Sequence, residues 1–116
     1  MQIDTTYIDF PDVALDPPRH VGGRILGGVR IETSACFAGR IVALEAPEAL
    51  ASLVVQRFRV GKYDLIDEPR TLRELVGDET VLAADFAADT PIVIELASPE
   101  TKVEVSGLRL RIEAAA

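Results

Sequence analysis

The sequence predicts an all-β domain, a β-sandwich or barrel carrying one short helix. Three observations lead there. Short apolar runs with period-2 alternation recur along the 116 residues at about 8–12 residue intervals. Glycine and proline punctuate almost every one of them, as turns between short strands require. Only one stretch, after Pro69, has helical spacing, and at about two turns it is too short to organise a helical core.

The first segment, Met1 to Arg19, carries Asp4, Asp9, Asp12 and Asp16 and no cation before Arg19. Ile3, Thr5 and Tyr7 alternate before Ile8 and Phe10 shift the phase, and Pro11, Pro17 and Pro18 fix φ and remove donors. An extended arm or an edge strand with a polyproline-like end is expected, not a central strand. We take residues 1–20 as this arm and 21–116 as the β-domain. The glycine pairs Gly22-Gly23 and Gly27-Gly28 bracket Arg24, Ile25 and Leu26, and Val29 and Ile31 then alternate with Arg30 and Glu32. Two short β pieces with a turn or bulge at each glycine pair follow. Ile41 to Leu44 is a short strand, and Pro47 to Leu50 a loop or a single helical turn.

Leu53 to Val60 is the clearest central strand. Strict alternation puts Val54, Gln56, Phe58 and Val60 on one face and Val55, Arg57 and Arg59 on the other. The helix is predicted from Asp67 or Glu68 as cap and Pro69 as first residue, with an apolar stripe of Leu72, Leu75 and Val76 and Gly77 as its stop. A strand over Val81 to Phe86 comes next, then Pro91 to Ala97 with Ile92, Ile94 and Leu96 inward, then a turn at Ser98-Pro99-Glu100. Near the end, Val103 and Val105 lie on one parity and Leu108, Leu110 and Ile112 on the other. Period-2 geometry forbids both sets facing one core unless a bulge sits at Ser106-Gly107 or the run breaks into two strands bent there.

Composition removes most function classes. Twelve Lys and Arg against nineteen Asp and Glu give a net charge of −7. An acidic chain is a poor candidate for nucleic-acid binding through counterion release, and no sequence-specific nucleic-acid contact is expected. Asp4, Asp9, Asp12 and Asp16 supply four of those charges, so the acidity is concentrated in the arm. The single Cys36 excludes an intrachain disulfide and a cysteine-based zinc cluster. No run approaches the roughly 20 apolar residues of a membrane span. The start MQIDTTYIDF has neither a positive n-region nor an apolar h-region, so no secretory signal is expected and cytosolic synthesis is compatible with the thiol.

The residues available for chemistry do not assemble. His20 is the only imidazole and follows Pro17-Pro18-Arg19, a poor platform for a positioned base. Ser34, Ser52, Ser98 and Ser106 lack a nucleophile-elbow setting. Cys36, between Ala35 and Phe37, has the surroundings of a buried packing thiol. The carboxylates of DLIDE (Asp64, Asp67, Glu68) and GDE (Asp78, Glu79) do not match calcium-loop spacing and suit helix capping. A divalent ion at a subunit contact is the one metal role they leave open. The doubled glycines match neither the phosphate-binding nor the dinucleotide-binding loop. No cofactor, resident metal or enzymatic activity is therefore expected. Arg57, Arg59, Arg109 and Arg111 alternate on strands. They would form either an anion-binding face or a solvated, interface-facing one balanced by acids such as Glu95, Glu104 and Glu113, and the second is favoured.

From Phe37 onward the order of elements resembles the small single-jelly-roll capsid proteins of tailless icosahedral bacteriophages. The strand opened by an aromatic, a Gly and an Arg is FAGRIVAL, Phe37 to Leu44. The strand ending in a Val-Gly-polar step is LVVQRFRVGKYDLI, Leu53 to Ile66, and a short acidic or helical insertion follows it. The alternating strand is PIVIELASP, Pro91 to Pro99, and VEVSGLRLRIEA closes the chain. The usual Asn-rich turn after the penultimate strand is replaced by SPETK, which leaves the register of the final hairpin open. The resemblance covers about two thirds of the chain by order and hydrophobic pattern. It implies a coat or capsid-associated protein, assembled in the bacterial cytoplasm into a virion, with homo-oligomer or other capsid proteins as partners and no catalytic residues.

The expectation is thus a self-associating structural β-domain with a jelly-roll-like sandwich. Tyr7, Phe10, Pro11, Pro17 and Pro18 on the arm and Arg57 and Arg59 on the central strand are its candidate subunit-interface residues. The alternative is a non-catalytic ligand- or carbohydrate-binding β-sandwich, disfavoured by the absence of Trp and by having only Tyr7 and Tyr63 as tyrosines. An enzyme built on His20 and an acidic cluster comes third.

Overall fold

A computed structural model describes residues 6–76 and 82–114. The expectations that involve Ile3, Asp4 and Thr5, the helix stop at Gly77, the acids Asp78 and Glu79, and Val81 lie outside the described residues. The chain is mostly β, with one short helix. The strands are β1 (Thr6–Asp9), β2 (Val13–Leu15), β3 (Arg19–Val21), β4 (Arg24–Leu26), β5 (Val29–Thr33) and β6 (Gly39–Glu45). A single 3-10 turn (Glu48–Leu50) leads to β7 (Val54–Val60), β8 (Tyr63–Asp64), β9 (Arg70–Thr71) and helix α1 (Leu72–Val76). β10 (Ala84–Phe86), β11 (Ile92–Leu96), β12 (Val103–Val105) and β13 (Arg109–Ala114) complete it.

Two main antiparallel sheets form, one ordered β1-β13-β6-β10 and the other β5-β11-β7-β8, with β9 also on β7. Two small ribbons, β2–β12 and β3–β4, accompany them. The pairings are nested: β1 with β13, β2 with β12, β5 with β11, β6 with β10, and β7 with β8. Ile8, Ile41, Leu110 and Ile112 from the first sheet and Ile31, Phe58, Ile92 and Ile94 from the second are buried in one continuous core. Ile92, Ile94 and Leu96 all lie in it, as their alternation predicts.

The expected arm is largely built into this fold. Over residues 6–15 it supplies the edge strand β1 and one half of the β2–β12 ribbon, and Ile8, Phe10 and Leu15 are core residues. The Phe10 N–H donates to the Leu108 carbonyl at 3.0 Å, anchoring the chain just past the end of β1. A boundary at residue 20 therefore does not separate a free arm from the packed domain. Phe10 in particular is a core residue and not an exposed contact residue.

The central strand departs from strict alternation. Glu95 of β11 faces Arg57, but the next residue, Leu96, faces Val55, so Gln56 is an extra residue bulged out of β7. A bulge flips side-chain parity. Val55 joins Phe58 and Val60 in the core, and Gln56 is exposed, the reverse of the face that alternation assigns to each. A similar shift at Arg111/Ile112 against Ala43 and Ile41 leaves Val42 as the extra residue of β6. At the C-terminal end, the two-strand alternative holds. β12 and β13 belong to different ribbons, and the chain bends between them through Gly107 at φ 79°, a conformation that favours glycine.

The helix starts later than its proline suggests. Thr71 caps it: Thr71 Oγ1 accepts from the Glu74 N–H, and Glu74 Oε1 accepts from the Thr71 N–H, each at 3.3 Å. This is a reciprocal capping box, T-x-x-E, and it displaces Asp67, Glu68 and Pro69 from the roles predicted for them. The Leu72 and Arg73 N–H groups donate back to the Leu53 and Ala51 carbonyls, and Leu72 and Leu75 enter the core. Replacing Thr71 with alanine is expected to lower unfolding free energy by about 1 kcal/mol, read by urea denaturation.

Candidate functional site

The arginines at alternate strand positions point outward, and each of the four is engaged by a carboxylate. On β7, Arg57 lies opposite Glu95 and pairs with it at 3.4 Å, and Arg59 pairs with Asp64 of β8 at 3.1 Å. Val93, buried on the same outer face, is flanked in register by Glu32 and Arg59, whose long side chains can shield it. On the other sheet Arg109 donates from Nε and Nη2 to Glu45 Oε1 at 3.0 and 2.8 Å, and Arg111 reaches Glu45 Oε2 at 3.9 Å. Hydrogen bonding to Glu45 holds the Arg109 guanidinium above its ordinary value; desolvation opposes this, while the charges of Glu45, Tyr7 and Asp9 add to it. The same guanidinium stacks 3.9 Å from the Tyr7 ring centroid, a cation–π contact.

Opposite charges facing each other across strands stabilise a sheet face, and a guanidinium already held by a carboxylate has fewer donors left for an outside anion. These faces are therefore largely self-neutralised. Of the acids expected to balance them, Glu95 does so, and Glu104 sits apart on β12. Glu45 and Asp64 take the remaining roles, and neither pairing could be read from adjacency in the chain.

The other candidate residues scatter. Tyr7 is on the outer side of β1, under Arg109. Pro11, between β1 and β2, is exposed; at the passage from β2 into β3, Pro17 is half-buried and Pro18 exposed. His20 is exposed on β3, and Cys36 is exposed, so its thiol is not the packing residue its neighbours suggest; Ala35 beside it is buried instead. Among the described residues no group of three or more His, Cys, Asp or Glu converges as a metal site. No described helix is long and apolar enough to cross a membrane.

Two features stand out that the sequence leaves inconspicuous. The first is the β3–β4 hairpin. Val21 faces Arg24 across Gly22-Gly23, both glycines have positive φ (56° and 78°), and every described side chain on the hairpin is exposed. The second is a groove of about 560 Å³ where the edge of β7 is left open between β8 and β9. Arg57, Asp64, Leu65, Asp67, Pro69 and Arg70 are among its walls. The signal for the hairpin was present in VGGRIL, two glycines between alternating residues; the groove had none, because it arises from two short strands sharing one neighbour. No family model, curated protein or solved structure matches the chain.

Proposed function

We propose that this is a structural, self-associating protein built on a jelly roll, a coat or capsid-associated protein of a tailless bacterial virus. The observation that carries this reading is the nested strand pairing. A long antiparallel ribbon rolled up on itself yields two facing sheets in which first pairs with last and so on inward, which is the jelly-roll arrangement. The orders β1-β13-β6-β10 and β5-β11-β7-β8 are those that such rolling generates, with β2–β12 continuing the ribbon and β3–β4 inserted in one connection. Fold alone does not carry function. The added support is the surface: arginines committed to carboxylates on both sheets, and a hairpin that exposes Val21 and Ile25. Assembly repeats one contact many times, so modest patches suffice.

At physiological salt, sedimentation velocity and negative-stain microscopy of the full chain are expected to give oligomers or particles. A monodisperse monomer at high concentration would sink the proposal. One observation favours the carbohydrate-binding alternative: Tyr63, 72% exposed, stands next to Asp64 of the groove and offers a stacking surface. Hits on a glycan array from such a monomer would replace the first reading with the second.

A further inference from the structure

We propose that the β3–β4 hairpin of one copy docks, tip first, into the groove between β8 and β9 of another copy. This rests on the self-association reading above and names the contact that would make it.

The hairpin has a well-matched turn and yet has no reason to be ordered alone. Its two-residue turn places both glycines at positive φ, the geometry whose twist matches that of the paired strands. The register Arg19↔Leu26, His20↔Ile25, Val21↔Arg24 follows from it. However, Val21 is 54% and Ile25 70% exposed, and neither contributes to the core. A lone two-stranded hairpin is marginal in water at best. With β3 and β4 paired only to each other among the described residues, both outer strand edges remain unpaired there. Something that covers its apolar side chains would complete it.

Charge points to a second copy. From Arg19 to Gly28 the chain carries Arg19, His20 and Arg24 and no carboxylate, a cationic projection on a protein whose net charge is −7. Arg19 has Asp16 at 3.8 Å, and Arg24 makes no ion pair among the described residues. The groove offers the converse. Both of its arginines have a carboxylate nearby, Arg57 with Glu95 and Arg70 with Glu68 at 3.8 Å, although the buried Arg70 Nε has no hydrogen-bond partner among the described residues. Asp67 has no ion-pair partner among the described residues and is exposed beside Leu65 and Pro69. Arg24 would meet Asp67, while Val21 and Ile25 would cover Leu65, Pro69 and the neighbouring Tyr63. Because hairpin and groove are different patches, the contact is heterologous, the type that propagates into rings or extended arrays.

The test is a charge swap read by sedimentation equilibrium and light scattering, with circular dichroism confirming the fold. Arg24→Glu, Asp67→Arg and Ile25→Asp each alter exposed side chains, so the fold should persist. Each is expected to weaken association at least about tenfold, and the double variant R24E/D67R to regain most of it. Wild-type association should also fall with added salt, since exposed ion pairs are screened. If the wild type associates and all three single variants associate equally well, the docking is wrong while self-association stands. If R24E and I25D weaken association but D67R does not, or the double variant is not rescued, the groove is the wrong receptor and the inference fails. A wild type that is monomeric throughout removes both this inference and the function it rests on.

Discussion

Truncating Phe58 to alanine is expected to lower the unfolding free energy by about 3–5 kcal/mol, the range for removing a buried phenylalanine from a packed core. Phe58 is fully buried, on an inner strand of its sheet, opposite Ile94 of β11. Loss comes from two sources: apolar surface no longer removed from water, and a void that neighbours held on neighbouring strands can only partly fill. Single domains of this size are stable by about 5–15 kcal/mol, so the variant should sit close to the threshold of folding. The chain has no Trp, so far-UV circular dichroism in urea is the suitable probe. A change below about 1 kcal/mol would mean that this position is not the packed centre of the core.

Phe10→Ala should be nearly as damaging, and this separates a free arm from a structural strand. Phe10 is 4% exposed and its N–H is bonded to Leu108. A cost of about 3 kcal/mol or more follows from burial. An aromatic on an extended arm would instead cost a few tenths, as exposed positions do. Deleting residues 1–15 should be worse. It strips β1 from β13 and β2 from β12 and uncovers Ile8's and Leu15's places in the core. The deleted protein is expected to show no cooperative unfolding transition. One that unfolds at the wild-type midpoint would establish that the segment is an appendage. The same prediction explains why assembly is better probed by point changes on the β3–β4 hairpin than by removing the N-terminus.

Local periodicity located the longer strands but not β2, β3, β8 or β9, and it failed where an extra residue entered. The alternation of Ile92, Ile94 and Leu96 and the switch of parity before Leu108 were legible because side chains on a strand alternate regardless of what it pairs with. The bulge at Gln56 was not. Val54-Val55-Gln56-Arg57-Phe58 fits uninterrupted alternation equally well, and only Leu96 opposite Val55 reveals the insertion. The helix cap misled in a different manner. Pro69 is a plausible first helical residue, but here the backbone at Arg70–Thr71 pairs with β7, so the helix begins only when that pairing ends. Thr71 and Glu74 were in the right spacing for a capping box all along.

Surface chemistry was legible in kind and not in partnership. Alternating arginines predicted charged outer faces balanced by acids, but Glu45 and Arg109 are 64 residues apart in the chain. Cys36 illustrates the same limit: apolar neighbours in sequence did not make it a buried residue.

By itself, then, the sequence determined an all-β chain, the positions of its longer strands, and a turn or bulge at each glycine pair, since each depends on φ/ψ preference and short-range alternation. Only the tertiary structure decided which strands share a sheet, that residues 6–15 belong to the core, where the bulges fall, and that β8 and β9 leave a groove on β7. Those outcomes depend on backbone hydrogen bonds and packing between residues far apart in the chain. Such contacts are chosen by the free energy of the whole core, and no local period encodes them.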